Sequence, residues 1–239
     1  MAAIANLGNN FVTTGGNETV VATPSIGDLI IVVCGNSGRT ADQRPTITDN
    51  NSSGTYTLVA SATANTSVDS MWVFVRTAFI TAASSTTFTF APVAGDTGGG
   101  LVVLRATGIA LLGAAAVRQV GVQNNQAAAT PAPVLPTVPD PSNPILSCIL
   151  NATSPGGVTA PAPAAPTTWT RHADVGYTVP TTGLDVATAN DGRTYNATAS
   201  KTITWGGASA SAFASIALTF NGDDIGPTAL ARVSSRGAF

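Results

Sequence analysis

The hydrophobic pattern of this chain occurs twice, and a repeat constrains a fold more strongly than any single motif. In the first copy Gly27-Asp28-Leu29-Ile30-Ile31-Val32-Val33-Cys34 leads to Thr55-Tyr56-Thr57-Leu58 and Thr87-Phe88-Thr89-Phe90. Leu101-Val102-Val103-Leu104 follows, ending at Thr107-Gly108. The second copy runs Pro144-Ile145-Leu146-Ser147-Cys148-Ile149-Leu150, Thr168-Trp169-Thr170-Arg171, then Thr202-Ile203-Thr204-Trp205. It closes with Ser215-Ile216-Ala217-Leu218-Thr219-Phe220 before Asn221-Gly222. Four segments keep their order and spacing over about 110 residues, although few identities survive.

The residues of this frame favour strands. Threonine and valine fit a pleated surface through their branched Cβ. Strong helix formers are scarce, with one lysine (Lys201) and one glutamate (Glu18) in the chain. The expectation is an all-β protein, an antiparallel β-sandwich of jelly-roll-like type built from two pseudo-repeated halves. These are about 1–113 and 114–222, followed by a C-terminal tail at 223–239. Each half is expected to form either its own small sandwich or one part of an interleaved domain. With about five strands per copy, against roughly seven in an independent sandwich, one interleaved domain is the preferred arrangement.

Local patterns place the strands. Phe11-Val12-Thr13 and Thr19-Val20-Val21-Ala22 flank a turn at Gly15-Gly16-Asn17. Leu29 to Cys34 is continuously apolar, as in a central strand covered on both faces. From Met71 to Thr77, Met71, Val73 and Val75 share one face and Trp72, Phe74 and Arg76 the other. Phe88 and Phe90 point one way and the intervening threonines the other. Gly98-Gly99-Gly100 reads as a flexible joint, and Asn190-Asp191-Gly192-Arg193 as a hairpin turn. The proline-rich run Thr130 to Pro139 stands where the first copy has Thr19 to Pro24, which makes it an edge strand. Trp169 takes the position of Tyr56, and Trp205 that of Phe90, as repeated core anchors.

Reactive groups are few. The one histidine, His172, stands beside Arg171 on a strand and reads as a surface polar group, without the partners of a nucleophilic triad. No Cys/His cluster has zinc spacing and no glycine-rich loop has the P-loop pattern. Asp49-Asn50-Asn51 and Asp223-Asp224 offer oxygen atoms for calcium, but turn formation explains them without a metal. Cys34 and Cys148 lie in matching apolar runs and are expected as buried free thiols. The chain is expected to be no enzyme, with no cofactor and no bound metal.

Charge narrows the partners. Charged residues make up 9 % of the chain and the net charge is −2, which gives no basis for nucleic-acid binding. Soluble proteins ordinarily carry far more surface charge, so docking against neighbours is expected. The opening Met1 to Asn10 lacks the basic and apolar regions of a signal peptide, and no apolar run is long enough to cross a bilayer. Beyond Gly222 the alternation stops. Asp223 to Phe239 is the candidate interaction arm, with Arg232, Arg236 and Phe239 as candidate partner contacts.

The frame as a whole resembles one protein group. Gly-Asp-Leu-Ile-Ile-Val-Val, the aromatic of Thr-Tyr-Thr-Leu or Thr-Trp-Thr-Arg, Trp-Val-Phe-Val-Arg-Thr-Ala and Leu-Val-Val-Leu-Arg-Ala-Thr-Gly carry the likeness. Over residues 10–222 they resemble the virion β-sandwich structural proteins of tailed bacteriophages and prophages, including capsid decoration, tail and fibre components. The resemblance implies a non-enzymatic virion structural protein, foremost a capsid decoration or cement protein assembled in the host cytoplasm. Its partners would be the major capsid protein or other virion proteins, with a homo-oligomeric state and no membrane. The leading alternative is a tail or fibre module that binds a receptor or glycan through Trp72 or Trp169, and a third reading is a bacterial surface adhesin module. No catalytic residue is implied.

Overall fold

The computed structural model describes residues 2–37, 44–51, 54–64, 69–92, 97–128, 131–136, 144–151, 169–178, 181–189, 201–206 and 211–222. The fold is all-β and antiparallel throughout the described pairings, a β-sandwich. The first half supplies β1 (Ala3–Val12), β2 (Glu18–Ala22), β3 (Leu29–Ser37), β4 (Thr46–Asp49), β5 (Tyr56–Ala64), β6 (Asp69–Arg76), β7 (Thr86–Ala91) and β8 (Gly98–Thr107). A 3₁₀ turn at Gly113–Ala116 leads into β9 (Val117–Ala128), β10 (Val134–Leu135), β11 (Ile145–Asn151), β12 (Thr170–Thr178), β13 (Thr181–Ala189), β14 (Lys201–Thr202) and β15 (Ser211–Phe220).

Four sheets result, two from each half. Among the described strands no sheet combines the two halves, contrary to the expected interleaving: each half closes its own pairings. A five-stranded sheet in the order β1-β8-β3-β6-β5 is paired with a three-stranded sheet β2-β7-β4. The second five-stranded sheet, read as β9-β15-β11-β13-β12, has a two-stranded companion β10-β14. Strand for strand, the order in the second set matches that in the first.

Period-two alternation explains how four sheets become four layers. On β3 one face carries Leu29, Ile31 and Val33, which join Leu146, Cys148, Leu150, Ile216 and Leu218 of the other half in one buried cluster. The five-stranded sheets therefore stack on each other at the middle of the molecule. The opposite face of β3 carries Ile30, Val32 and Cys34, which meet Val20, Ile47, Phe88 and Phe90 of the small sheet. In the second half Leu135, Ile203 and Trp205 cover Ile145, Ile149, Ala187, Phe213 and Ala217 in the same way. Both faces of β3 and β6 are buried, as the apolar runs Leu29 to Cys34 and Met71 to Val75 require.

The central stacking is reciprocal. β5 lies against β9 and β15, while β12, its counterpart, lies against β1 and β8, the counterparts of those strands. That is the contact pattern of an isologous dimer, in which one patch meets its own copy. One hydrogen bond ties each side: Asn6 Nδ2 donates to the His172 carbonyl at 2.9 Å, and the Thr63 amide donates to Asn124 Oδ1 at 2.8 Å.

Two local expectations need correction, and the register refines a third. The first strand starts at Ala3, well before Phe11, because β8 supplies a partner along its whole length. Gly98-Gly99-Gly100 is buried strand, paired with Gly35 to Ser37, and not a joint. Cys34 and Cys148 lie on equivalent strands, β3 and β11, as expected, but on opposite faces: Cys34 faces the outer core of its half, and Cys148 faces the central core. Register pairs Val33 with Val102 and Cys148 with Ile216, so Cys148 corresponds to Val33, one residue away from Cys34. A one-residue offset turns a strand side chain to the other face.

Candidate functional site

Three places in this frame bear on function: the outward faces of the two small sheets, a buried polar knot, and the bulge at His172. The hairpin turn expected at Asn190 to Arg193 lies outside the described residues, as do the arm 223–239 with Arg232, Arg236 and Phe239, and Asp223-Asp224.

On the three-stranded sheet the inward positions Val20, Ile47, Phe88 and Phe90 are buried, so their neighbours point out. Thr19, Thr89 and Thr48 stand in one cross-strand row, and Val21 stands beside Thr87 in the next. Among the described residues of these three strands, no charged side chain lies on this face. Val21 is 65 % exposed, unusual for a branched aliphatic residue on a strand. The two-stranded sheet repeats the arrangement: Val134 pairs with Thr202, Thr204 follows outward, and Val134 is 37 % exposed. Register equates Thr202 with Thr87 and Val134 with Val21. The two faces point away from each other across the four layers.

The knot lies in the first half. Arg76 and Asp49 form a buried ion pair, with Arg76 Nε donating to Asp49 Oδ2 at 2.9 Å. Tyr56 donates its hydroxyl to the same oxygen at 2.6 Å, and the Asn51 amide donates to Asp49 Oδ1 at 2.8 Å. Arg76 also donates to the carbonyls of Ala78 and Phe79 at 3.0 Å each, and to that of Asn51. Burial first, and then the bond to the Asp49 carboxylate, push the Tyr56 hydroxyl far above its ordinary pKa. Gly54 has no side chain because a Cβ there would overlap the Arg76 guanidinium. Asp49 is thus committed to Arg76 and Tyr56, which leaves the calcium alternative at Asp49-Asn50-Asn51 without a free carboxylate. Sequence reasoning missed the knot, although Asp49, Tyr56 and Arg76 are three of the few polar residues with apolar neighbours.

His172 is half-buried, which corrects the surface reading. It is the bulged residue between Arg171 and Ala173 on β12, its Nε2 lies 2.5 Å from Thr188 Oγ1, and its carbonyl accepts from Asn6. Burial lowers its pKa. Arg171 beside it is ion-paired with the buried Asp185. This arrangement fastens β12 to β13 and to β1.

The tryptophans are structural where they are buried. Trp205 is fully buried with Nε1 donating to Ser147 Oγ at 2.9 Å, which satisfies its polar tip. Trp72 is buried in the outer core of the first half, and Trp169 is half-buried against the outer core of the second. Among the described residues no three His, Cys, Asp or Glu side chains gather as for a metal ion, and no helix is long and apolar enough to cross a membrane. Both cysteines are free and buried, and burial raises both thiol pKa values. Compared with known proteins, the chain matches no family model, no curated sequence and no solved structure.

Proposed function

We propose that this protein is a non-enzymatic virion structural protein, a decoration or cement protein on the capsid of a tailed bacteriophage. One observation carries the reading: two equivalent Val/Thr faces point outward on opposite sides of the sandwich. A body with two like faces is suited to bridging neighbours in a lattice. Desolvating threonine and valine costs less than desolvating charge, so a modest contact at each face suffices when the contacts repeat around a shell.

Strand order supports the same reading. β1-β8-β3-β6 in one sheet and β2-β7-β4 in the other resembles the order of a jelly roll, except that β5 stands at the edge beside β6. Jelly rolls recur in viral capsid and lectin domains. The glycan-binding alternative needs exposed aromatic platforms, and Trp72 is buried while Trp169 is half-covered.

Quantitative mass spectrometry of purified particles tests the proposal. The expected result is a copy number comparable to that of the capsid subunit. Absence from the particle, or a handful of copies confined to the tail, overturns it.

A further inference from the structure

We propose that Glu18, Asn36 and Ser70 form a binding site for a hard cation at one end of the first half's outer core. The site is defined by register. Gly99, Asn36 and Ser70 are direct cross-strand partners on β8, β3 and β6, so their side-chain positions share one face in a single row. Glu18 begins β2 of the facing sheet, and its carboxylate oxygen fills the place of the side chain that Gly99 lacks. A Cβ at Gly99 would also come within 2.9 Å of the Gly35 carbonyl. The row therefore brings together a carboxylate, an amide, a hydroxyl and a main-chain carbonyl.

Two of these groups lack partners. Neither amide atom of Asn36, nor the hydroxyl of Ser70, has a hydrogen bond, and the two residues are 0 % and 1 % exposed. Buried polar atoms are very rarely left unsatisfied, and an exception calls for water, an ion or a role. Oxygen-only donors around one carboxylate are the ligand set of a hard cation such as calcium or sodium.

The second half provides an internal comparison. There Asn151 holds the position of Asn36, flanked by Phe213 and Gly183 in place of Gly99 and Ser70. Phe213 fills the space with a buried ring and packs on Trp205. Pro131, whose carbonyl accepts from the Trp205 amide, stands where Glu18 pairs with Phe90. The common frame thus needs neither Glu18 nor Ser70 nor an open glycine, and their joint presence in one half marks a feature added to it.

Terbium luminescence on the full chain provides the test. Trp72 lies on the same face of β6 two residues from Ser70, about 7 Å along the strand, close enough to sensitise a bound Tb³⁺ ion. After dialysis against chelator, added Tb³⁺ is expected to give saturable emission on tryptophan excitation, displaced by Ca²⁺. Glu18→Gln and Ser70→Ala should each weaken Tb³⁺ binding about tenfold or more, and Ca²⁺ should raise the thermal midpoint of the native chain but not of Glu18→Gln. Trp72→Phe should lose the emission while keeping the Ca²⁺ response. Absence of sensitised emission, or emission and Ca²⁺ response unchanged in Ser70→Ala, overturns the proposal and assigns the space to water. Ser70→Ala removes a single hydroxyl, so the test stands even if Glu18→Gln fails to fold.

Discussion

Val59 and His172 are the same bulge in the two halves. Val59 is the extra residue between Leu58 and Ala60, opposite Phe74 and Val73, and His172 is the extra residue between Arg171 and Ala173, opposite Ala187 and Val186. Bulges of this kind twist a strand and aim one side chain apart from the alternation. In the first half the bulge aims a valine at the central core, and in the second it turns the His172 carbonyl to Asn6 of the other half and the imidazole to Thr188.

The exchange makes stability depend on pH. Burial lowers the folded pKa of His172 below its ordinary value of 6.5. Between those two values the unfolded chain binds the extra proton, so stability rises with pH there. The contribution is complete above about pH 6.5, is lost as pH falls through the window, and is level below the folded pKa. His172→Val, which copies the first half, is expected to flatten this part of the profile. Thermal midpoints of both proteins between pH 8 and 5 measure it, and parallel profiles contradict the assignment.

Much of the frame was legible in the sequence because alternation is local. Phe88 and Phe90 against their threonines, the two faces of Met71 to Arg76, and the pairing of Trp205 with Phe90 all follow from period two and repeat spacing. The one-residue offset between Cys34 and Cys148 was not legible, because apolar runs show no register and only pairing with β8 and β15 reveals it. Glycines 98 to 100 read as a joint because a run of glycine shows what the backbone permits and hides what fills the space. Here that is Glu18, far away in sequence. The Asp49–Arg76 pair spans 27 positions and two sheets, beyond any local pattern.

The knot should be costly to break from either end. Arg76→Met leaves Asp49 buried without its cation, and such losses run to about 3–5 kcal/mol. Replacing both, as Asp49→Leu with Arg76→Met, is expected to recover only part of the loss. The carbonyls of Asn51, Ala78 and Phe79 also depend on the guanidinium. Tyr56→Phe should cost about 1.5–3 kcal/mol, the value of a hydrogen bond to a charged group. Urea unfolding of the three variants ranks them, and a double variant as stable as the native chain would refute the role given to the carbonyls.

Neither thiol should react while the chain is folded. Cys34 and Cys148 are fully buried in different cores, and burial disfavours the thiolate that attacks a disulfide reagent. A thiol assay with an aromatic disulfide is expected to find no fast-reacting group in the native protein and both groups in guanidinium. Reductant should leave the unfolding midpoint unchanged. Fast labelling of either cysteine in native buffer would place it nearer to solvent than the layers allow.

Val21 and Val134 occupy equivalent outward positions, so the bridging role can be divided between them. Val21→Lys and Val134→Lys put a charge on each face in turn, and at exposed positions each should alter stability by no more than about 0.5 kcal/mol. If both faces hold neighbours in a lattice, blocking one leaves a molecule attached at a single side. The loss of the linked contact then lowers apparent affinity for particles by about 10²–10⁴-fold. The two single variants should behave alike, and the double variant should not bind above background. Sedimentation of each protein with particles stripped of it measures this directly. Full binding by the double variant would place the docking surface elsewhere on the molecule and leave the paired faces as solvated threonine. A loss for only one single variant would make the docking one-sided and remove the bridging mechanism.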